Sequence, residues 1–377
     1  MRPAWLEIDL DAIGQNLSDV RQLVGPGVDV IAVIKSNAYG HGAVPVARRV
    51  LAGGAKLLGV ALIQEAIELR EAGITAPMLV LGTTDPSEAP EFVEYGVMAA
   101  VGGEDLARAL SEASARIGKP ALCHIKIDTG MGRQGVRPEA IRSLGQALSA
   151  LPNLSIEGVF SHFASSSGDT EFTEHQRETF LGAVPVLETS LGRRILLRHL
   201  ANSGGIVHHH DAWLDAVRPG ALLYGISELN GADFPSTLRQ AMSLKAKIVF
   251  TKGICAGDSV GYGRAFVACR EACTAVLPLG YADGYPRSLT NNADVLVHGK
   301  RCPVLGRISM DSIVIDVTEV EAVQVGDEAV LLGRQGDEMI TTGELAKQGG
   351  TIVEEICARM AGRLPRVYTE NGDAEGD

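Results

Sequence analysis

The sequence holds few cysteines, and none is spaced to act with another. The six are Cys123, Cys255, Cys269, Cys273, Cys302 and Cys357, with no C-x-x-C pair among them. That spacing indicates neither a zinc framework nor a disulfide scaffold, and predicts that most are reduced and buried as small hydrophobes. No run of about 18 apolar residues occurs, so no transmembrane helix is expected. The stretch Met1-Arg2-Pro3-Ala4-Trp5-Leu6-Glu7-Ile8-Asp9 lacks a basic-then-apolar leader, which reads as a soluble, cytoplasmic chain. Positive charge is in deficit, with 34 Lys and Arg against 46 Asp and Glu and a net charge of −12. A broad nucleic-acid or anionic-membrane surface is therefore not expected. Neither a repeat of solenoid period nor a low-complexity linker is present. His208, His209 and His210 are consecutive, so their side chains diverge, and no acidic or cysteine partner lies at ligand spacing. They read as a loop, and no metal is expected.

What is present is a chain of 377 residues, 46% hydrophobic and 21% charged, long enough for two domains with a large core. Apolar strand candidates begin near Val28, Leu57, Met78, Val97, Ala121, Leu154 and Ile195, with a short eighth near Ala216. Amphipathic helical stretches at 44–51, 64–72, 104–117, 138–151 and 171–191 fill the gaps. Eight units in one βα series predict an α/β fold built on a (β/α)8 TIM barrel. An open doubly wound sheet competes, but does not need eight consecutive units. A helix at 11–24 precedes the first barrel strand, with Asp11 as its expected N-cap. Composition shifts after Asn230. Segments 242–251, 273–279, 294–298, 313–317 and 328–332 read as strands between glycine turns, followed by helices near 343–347 and 352–360. The expected division is a barrel over 1–230 and a mainly β C-terminal domain over 231–377. The strand at 5–9 is a candidate to pair with the second domain. The polar tail 370–377 is expected to be disordered.

The segment 32–42, A-V-I-K-S-N-A-Y-G-H-G, sets Lys35 at the exit of the apolar run 28–34. Such a run reads as a buried parallel strand. A lysine ending it, with small residues following, faces a cleft. Desolvation there lowers an amine pKa and makes lysine a base or a Schiff-base former. A lysine that only snorkels at the barrel rim is the other reading of the same pattern. Further polar groups follow other strands: Tyr39 after the first, 128–133 (D-T-G-M-G-R) after the fifth, His162 after the sixth. Asn202, Ser203 and Gly204 follow the seventh, and Arg218, Pro219 and Gly220 close the eighth. Glycine and hydroxyl groups at the last two loops match the phosphate cradle of this architecture. Each is weak alone, whereas five loops on one rim are hard to assign to packing.

Strings along nearly the whole chain resemble the alanine racemase family of fold-type III pyridoxal-phosphate (PLP) enzymes. They are A-W-L-E-I-D-L-D-A-I, A-V-I-K-S-N-A-Y-G-H-G, K-I-D-T-G-M-G-R-Q-G, S-H-F-A, A-N-S-G-G, V-R-P-G-A-L-L-Y-G, S-V-G-Y-G-R-A-F, G-Y-A-D-G-Y-P-R and G-R-I-S-M-D. The resemblance implies a PLP-binding barrel in which Lys35 holds the cofactor as an internal aldimine and later acts as one of two bases. Tyr262, in G-Y-G-R, is implied as the second base, reaching the barrel of a partner subunit, so that a complete site requires a homodimer. Racemisation needs a proton carrier on each face of a planar carbanion, which this pair supplies. A surface tyrosine beside a tight glycine turn is the plain reading of Tyr262.

By the same resemblance Tyr39, Ser203, Gly220 and the backbone at Ala221 hold the cofactor phosphate, with Asn202 and His162 also among the cofactor-binding positions. His162 would lie between Tyr262 and Arg218, whose charge favours the phenolate that a tyrosine base needs. Arg218 would donate to the pyridine nitrogen and, keeping its proton, leave that nitrogen largely unprotonated, which disfavours side reactions. Arg133 would contact the cofactor ring oxygen and orient substrate. Lys126 matches the lysine that many members carry as a carbamate, and an ordinary strand lysine paired with Asp128 is the alternative. Met310 and Asp311 would position the substrate carboxylate, and Tyr281 would narrow the entrance. Gly362 stands where some relatives place a tyrosine, and Ser309 where some have cysteine; both bear on pocket size. The implied activity is L-/D-alanine interconversion supplying D-alanine for peptidoglycan. A broad-specificity or serine racemase, a PLP decarboxylase or aldolase, and a non-catalytic PLP-binding protein are the rivals. An acidic ring contact and a cysteine opposite the lysine would have favoured the decarboxylase.

Overall fold

A computed structural model describes residues 2–226, 238–360 and 362–370. Eight parallel strands follow one another as expected: β2 (Asp29–Val33), β3 (Leu57–Val60), β4 (Met78–Val80), β5 (Ala99–Val101), β6 (Ala121–Lys126), β7 (Leu154–Phe160), β8 (Leu197–His199) and β9 (Ala216–Val217), all after β1 (Ala4–Asp9). They join side by side in the order β4-β3-β2-β9-β8-β7-β6-β5. The amide of Val80 on the carbonyl of Met98 at 2.9 Å, and that of Met98 on Met78 at 2.8 Å, bring the two ends together. The sheet is therefore a nearly closed barrel.

Most of its strands are apolar on both faces because both are covered. Ile31, Leu57, Leu79, Met98, Ala100, Phe160 and Ala216 pack on one another inside the barrel. Their neighbours, such as Ala32, Leu58, Met78 and Ala99, pack outward against the helices. The helices lie where periodicity placed them, among them Ala43–Ala52, Ile63–Glu71, Glu104–Ile117, Ile141–Ser149 and Thr170–Leu191. One more, Ala89–Tyr95, had no distinct sequence signal. The first helix spans Leu10–Val24 and is capped by Asp9, whose side chain accepts from the Ala12 amide at 2.7 Å. Asp11 is thus not the cap. It sits inside the first turn and pairs with Arg49 at 3.1 Å.

The second region is mainly β. Strand β10 (Met242–Lys247) pairs antiparallel with β1, which also pairs in parallel with Arg366–Thr369. The expected single strand over 242–251 is in fact two, because β11 (Phe250–Ile254) leaves β10 for a separate sheet with Ala272–Leu277 and Ile313–Asp316. The switch lies at Ile248 and Val249, whose amides bond Asp327 and Val276 respectively. No glycine or proline marks it. Two helices close the region, Thr342–Gly349 and Val353–Arg359. The expected boundary at 230/231 lies outside the described residues, as does all of the expected tail except Glu370.

All six cysteines are free, but only Cys123, Cys302 and Cys357 are buried. Cys255, Cys269 and Cys273 are exposed around the β11 edge, which corrects the expectation that most are core residues. His209 meets the Ser166 carbonyl at 3.1 Å, and His210 packs on Trp213 at 4.6 Å. No helix among the described residues is long and apolar enough to cross a membrane.

Candidate active site

A cleft of about 810 Å³ opens at the C-terminal ends of the barrel strands. Ten of the expected site residues line it: Lys35, Tyr39, Lys126, Arg133, His162, Asn202, Ser203, Arg218, Gly220 and Ala221. Strand-end positions put them there, since a residue that terminates a barrel strand must leave the packed interior at the rim. The loop after β2 is unusual. Ser36, Asn37, Ala38 and Tyr39 share left-handed backbone, with φ of 54°, 53°, 53° and 52°. This turn carries Lys35 at its head and returns Tyr39 against Tyr224, ring centroids 4.9 Å apart. Tyr224 is fully buried and donates to the Val33 carbonyl at 3.0 Å. A Cβ on Gly220 would lie 2.6 Å from the Tyr39 hydroxyl, so a glycine is required for that approach.

Beside it the Ser203 hydroxyl accepts from the amides of Gly220 at 3.0 Å and Leu222 at 3.4 Å. Asn202 caps the short helix Ser203–His208 through the Gly205 amide at 3.0 Å. The first-turn amides of that helix have no intrahelical acceptor. Tyrosine and serine hydroxyls thus gather at one end of the cleft, beside the start of that helix.

The barrel floor beneath is polar and buried. Arg218 is 3% exposed and donates to His199 Nδ1 at 2.9 Å, the Ser161 carbonyl at 2.7 Å, the Leu200 carbonyl at 2.9 Å and His162 Nδ1 at 3.3 Å. Burial pushes its pKa down to about 9, so it remains a cation at neutral pH. His199 stacks on Phe160 at 4.8 Å and meets His124 Nδ1 through Nε2 at 2.8 Å. Burial first, then Arg218, holds both histidines neutral. His162 is also driven well down, by burial and then by Arg218, Lys126, Arg133 and Lys35.

Lys35 has its pKa lowered by burial and then by Arg133, with Glu65 and Glu354 opposing. Lys126 lies 4.2 Å over the Phe160 ring, and burial, followed by Arg218 and Arg133, lowers its pKa. No ion pair joins Lys126 to Asp128 among the described residues; Asp128 instead accepts from the amides of Gly130 and Gly132 at 3.1 and 3.0 Å.

Four expected site residues do not line the cleft. Tyr262 is 70% exposed, Met310 52% and Tyr281 38%, all on the second region. Asp311 is there too, paired with Arg363 at 2.6 Å. The amide of Tyr281 bonds the Ser309 carbonyl at 3.1 Å, so the Tyr281 and Met310 loops are joined. Tyr262 follows Gly261, whose Cβ position would lie 3.0 Å from the Arg307 amide, which ties its turn to the same segment. Within the chain, then, the barrel residues line the cleft together and these four do not.

Sequence reading missed Gln134, Phe160, Ile352 and Glu354, which also line the cleft. It also missed His124 and His199. A histidine inside a short strand reads as core, and nothing in the spacing links those two. Gly362 does not line the cleft, and a Cβ there would meet nothing within 4 Å.

Comparison with known proteins gives one family. The model described as "Alanine racemase, N-terminal domain" matches residues 8–228, and "Alanine racemase, C-terminal domain" matches 241–368. Alanine racemase 2 of Caldanaerobacter subterraneus subsp. tengcongensis is 44% identical over 99% of this chain and 96% of its own. The alanine racemase of Symbiobacterium thermophilum is 41% identical, covering 98% and 97% respectively. The crystal structure of alanine racemase from Bacillus anthracis with bound L-Ala-P superposes with a TM-score of 0.93 at 36% identity, over 99% of this chain and 96% of that one. The enzyme from D-cycloserine-producing Streptomyces lavendulae superposes equally well, at 0.93 and 36%, over 98% of each chain.

Proposed function

This chain belongs to the alanine racemase family of PLP-dependent racemases, and from that premise we propose that it interconverts L- and D-alanine with two proton carriers from different subunits of a homodimer. One observation carries the reading: ten site residues headed by Lys35 share a barrel cleft, while Tyr262, Tyr281, Met310 and Asp311 sit exposed on the second region. Residues split in this way form one site when a second copy supplies the other half.

PLP suits the donor set of the cleft. An amine of lowered pKa faces it, tyrosine and serine hydroxyls line one end, and a buried arginine lies beneath. Tyr39, Asn202, Ser203, Gly220 and Ala221 would hold the phosphate, Arg218 the ring nitrogen and Arg133 the ring oxygen. Bound there, PLP supplies an electron-withdrawing ring that makes the α-hydrogen of an amino acid removable. Lys35 Nζ would take that proton on one face, since burial and Arg133 favour its neutral amine. Tyr262 Oη of the partner copy would serve the other face. Arg218 donates to His162 Nδ1, so the His162 proton lies on Nε2. That N–H is then free to donate to a phenolate oxygen, with the Arg218 charge behind it. Met310 and Asp311 would orient the substrate carboxylate, and Tyr281 would narrow the mouth. Burial, then Arg218 and Arg133, shift Lys126 toward the neutral amine, the form that can become a carbamate, and that adduct would pair with Arg133. The enzyme would act in the cytoplasm and supply D-alanine for peptidoglycan.

The test is α-hydrogen exchange with optical rotation, using PLP-loaded protein in deuterated buffer on alanine and on serine. Deuterated alanine of both hands, with serine much slower, is the expected outcome. Exchange without inversion would remove the second proton carrier. Turnover of a larger amino acid but not alanine would replace the proposal with a broad-specificity racemase.

A further inference from the structure

The left-handed run after Lys35 is held rather than free. An L-residue in that region brings its Cβ against its own carbonyl, so non-glycine residues adopt it singly. Four in succession persist only where the surroundings over-determine them. The far end of the turn has three pins. Asn37 Oδ1 accepts from the Ala43 amide at 2.7 Å, and Arg366 Nε donates to the Gly40 carbonyl at 2.8 Å. His41 Nδ1 lies 2.9 Å from the Ala38 carbonyl and 3.0 Å from that of Tyr39, so it carries a proton and donates to both.

The near end, joined directly to Lys35, is held by a side chain from the next barrel unit. Glu65 Oε1 accepts from the Ser36 amide at 2.6 Å. Its Oε2 accepts from the amides of Ala61 at 2.7 Å and Leu62 at 3.3 Å. One carboxylate therefore ties the loop after β2 to the loop after β3, using acceptors only. We infer that Glu65 is a positioning residue for the reaction: its two oxygens lock the left-handed turn, so that Lys35 and Tyr39 meet the cofactor in one fixed arrangement. This rests on the proposed function. A bond to the Leu62 amide alone would make Glu65 a helix cap and nothing more; the bond to Ser36 is what reaches the site.

The side-chain chemistry sets the test. Glutamine has one acceptor oxygen and one NH2 group, so in either orientation it sets an N–H against a backbone N–H. Glu65→Gln should weaken PLP binding to the apoprotein by about tenfold and lower kcat by about 100-fold, with the KM for alanine little changed. Ser36→Gly removes the penalty for the left-handed residue next to Lys35. In the Glu65→Gln background it should recover about tenfold in both quantities, which it could not do if only a helix cap were lost. Should Glu65→Gln not fold, the same comparison is made between Glu65→Asp and Glu65→Asp/Ser36→Gly, since aspartate keeps the charge but is too short to span both loops. Unchanged PLP affinity and kcat in the folded variant would overturn the inference, and so would a loss that Ser36→Gly leaves untouched. If the unaltered chain does not racemise alanine, the proposed function falls, while the PLP titrations still report on the turn.

Discussion

The protons of the barrel floor are assigned one after another by Arg218. It donates to His199 Nδ1, so the His199 proton is on Nε2 and is given to His124 Nδ1. The His124 proton is then on its own Nε2, a buried atom with no hydrogen-bond partner. Burial pushes His124 down to about 3 and His41, beneath the left-handed turn, down to about 4. Both stay neutral in the folded chain at pH values where the unfolded chain, with histidine near 6.5, takes up protons. The unfolded state thus binds more protons below about 6.5, and stability falls with pH until each folded-state histidine titrates as well. Between pH 7 and 5 each group accounts for about 2 kcal/mol of loss. His124→Asn keeps an acceptor for His199 but cannot titrate. Urea unfolding at pH 7 and pH 5 should show a difference smaller by about that amount, and an undiminished difference would put the acid sensitivity elsewhere. At this scale the sequence was readable wherever a polar residue ended a strand, as Lys35, His162 and Arg218 do. It was opaque where histidines sat inside strands among apolar neighbours.

Among elements, the barrel was the most legible part. Most strands had an apolar run of their own, because a parallel strand buried on both faces can hold little else, although β8 (Leu197–His199) carries Arg198 and His199. The left-handed turn was not legible. Glycine is the usual marker of positive φ, and S-N-A-Y contains none; the turn is held by Glu65, His41 and Arg366 from outside and by the Asn37 side chain from within. The break between β10 and β11 was hidden for a related reason, since the partners of Ile248 and Val249 lie far along the chain. Strand spacing on the barrel yields another expectation. Gly158 of β7 sits where a Cβ would lie 2.6 Å from His124 Cε1 and 2.8 Å from the Leu197 carbonyl. Gly158→Ala must spread β7 from β8 or displace His124, which should cost roughly 1–3 kcal/mol in a denaturation midpoint. A midpoint within experimental error of the parent would mean that the barrel floor has slack.

At the level of the whole molecule, the proposed site is divided between two copies. Lys35→Ala and Tyr262→Phe should each be inactive alone for different reasons. Co-expressed, they form mixed dimers in which one site pairs an intact Lys35 with an intact Tyr262 and the other has neither. Random pairing should restore about a quarter of the parental turnover, since half of the dimers are mixed and each has one of two sites intact. Purified mixed dimers with no activity would show that Lys35 and Tyr262 work within a single subunit.

The placement of β1 sets a timetable for synthesis. Leu6 is bonded on one side opposite Leu244 and on the other opposite Arg366. The strand leaves the ribosome well before its neighbours, which follow it roughly tens of seconds later at ordinary elongation rates. During that interval the barrel can close from local βα units while a strand with one apolar face waits with both edges bare, open to a neighbouring nascent chain. Slow translation of the last third would lengthen that exposure, and yield in the cell would then depend on chaperone supply more than on the stability of the finished fold.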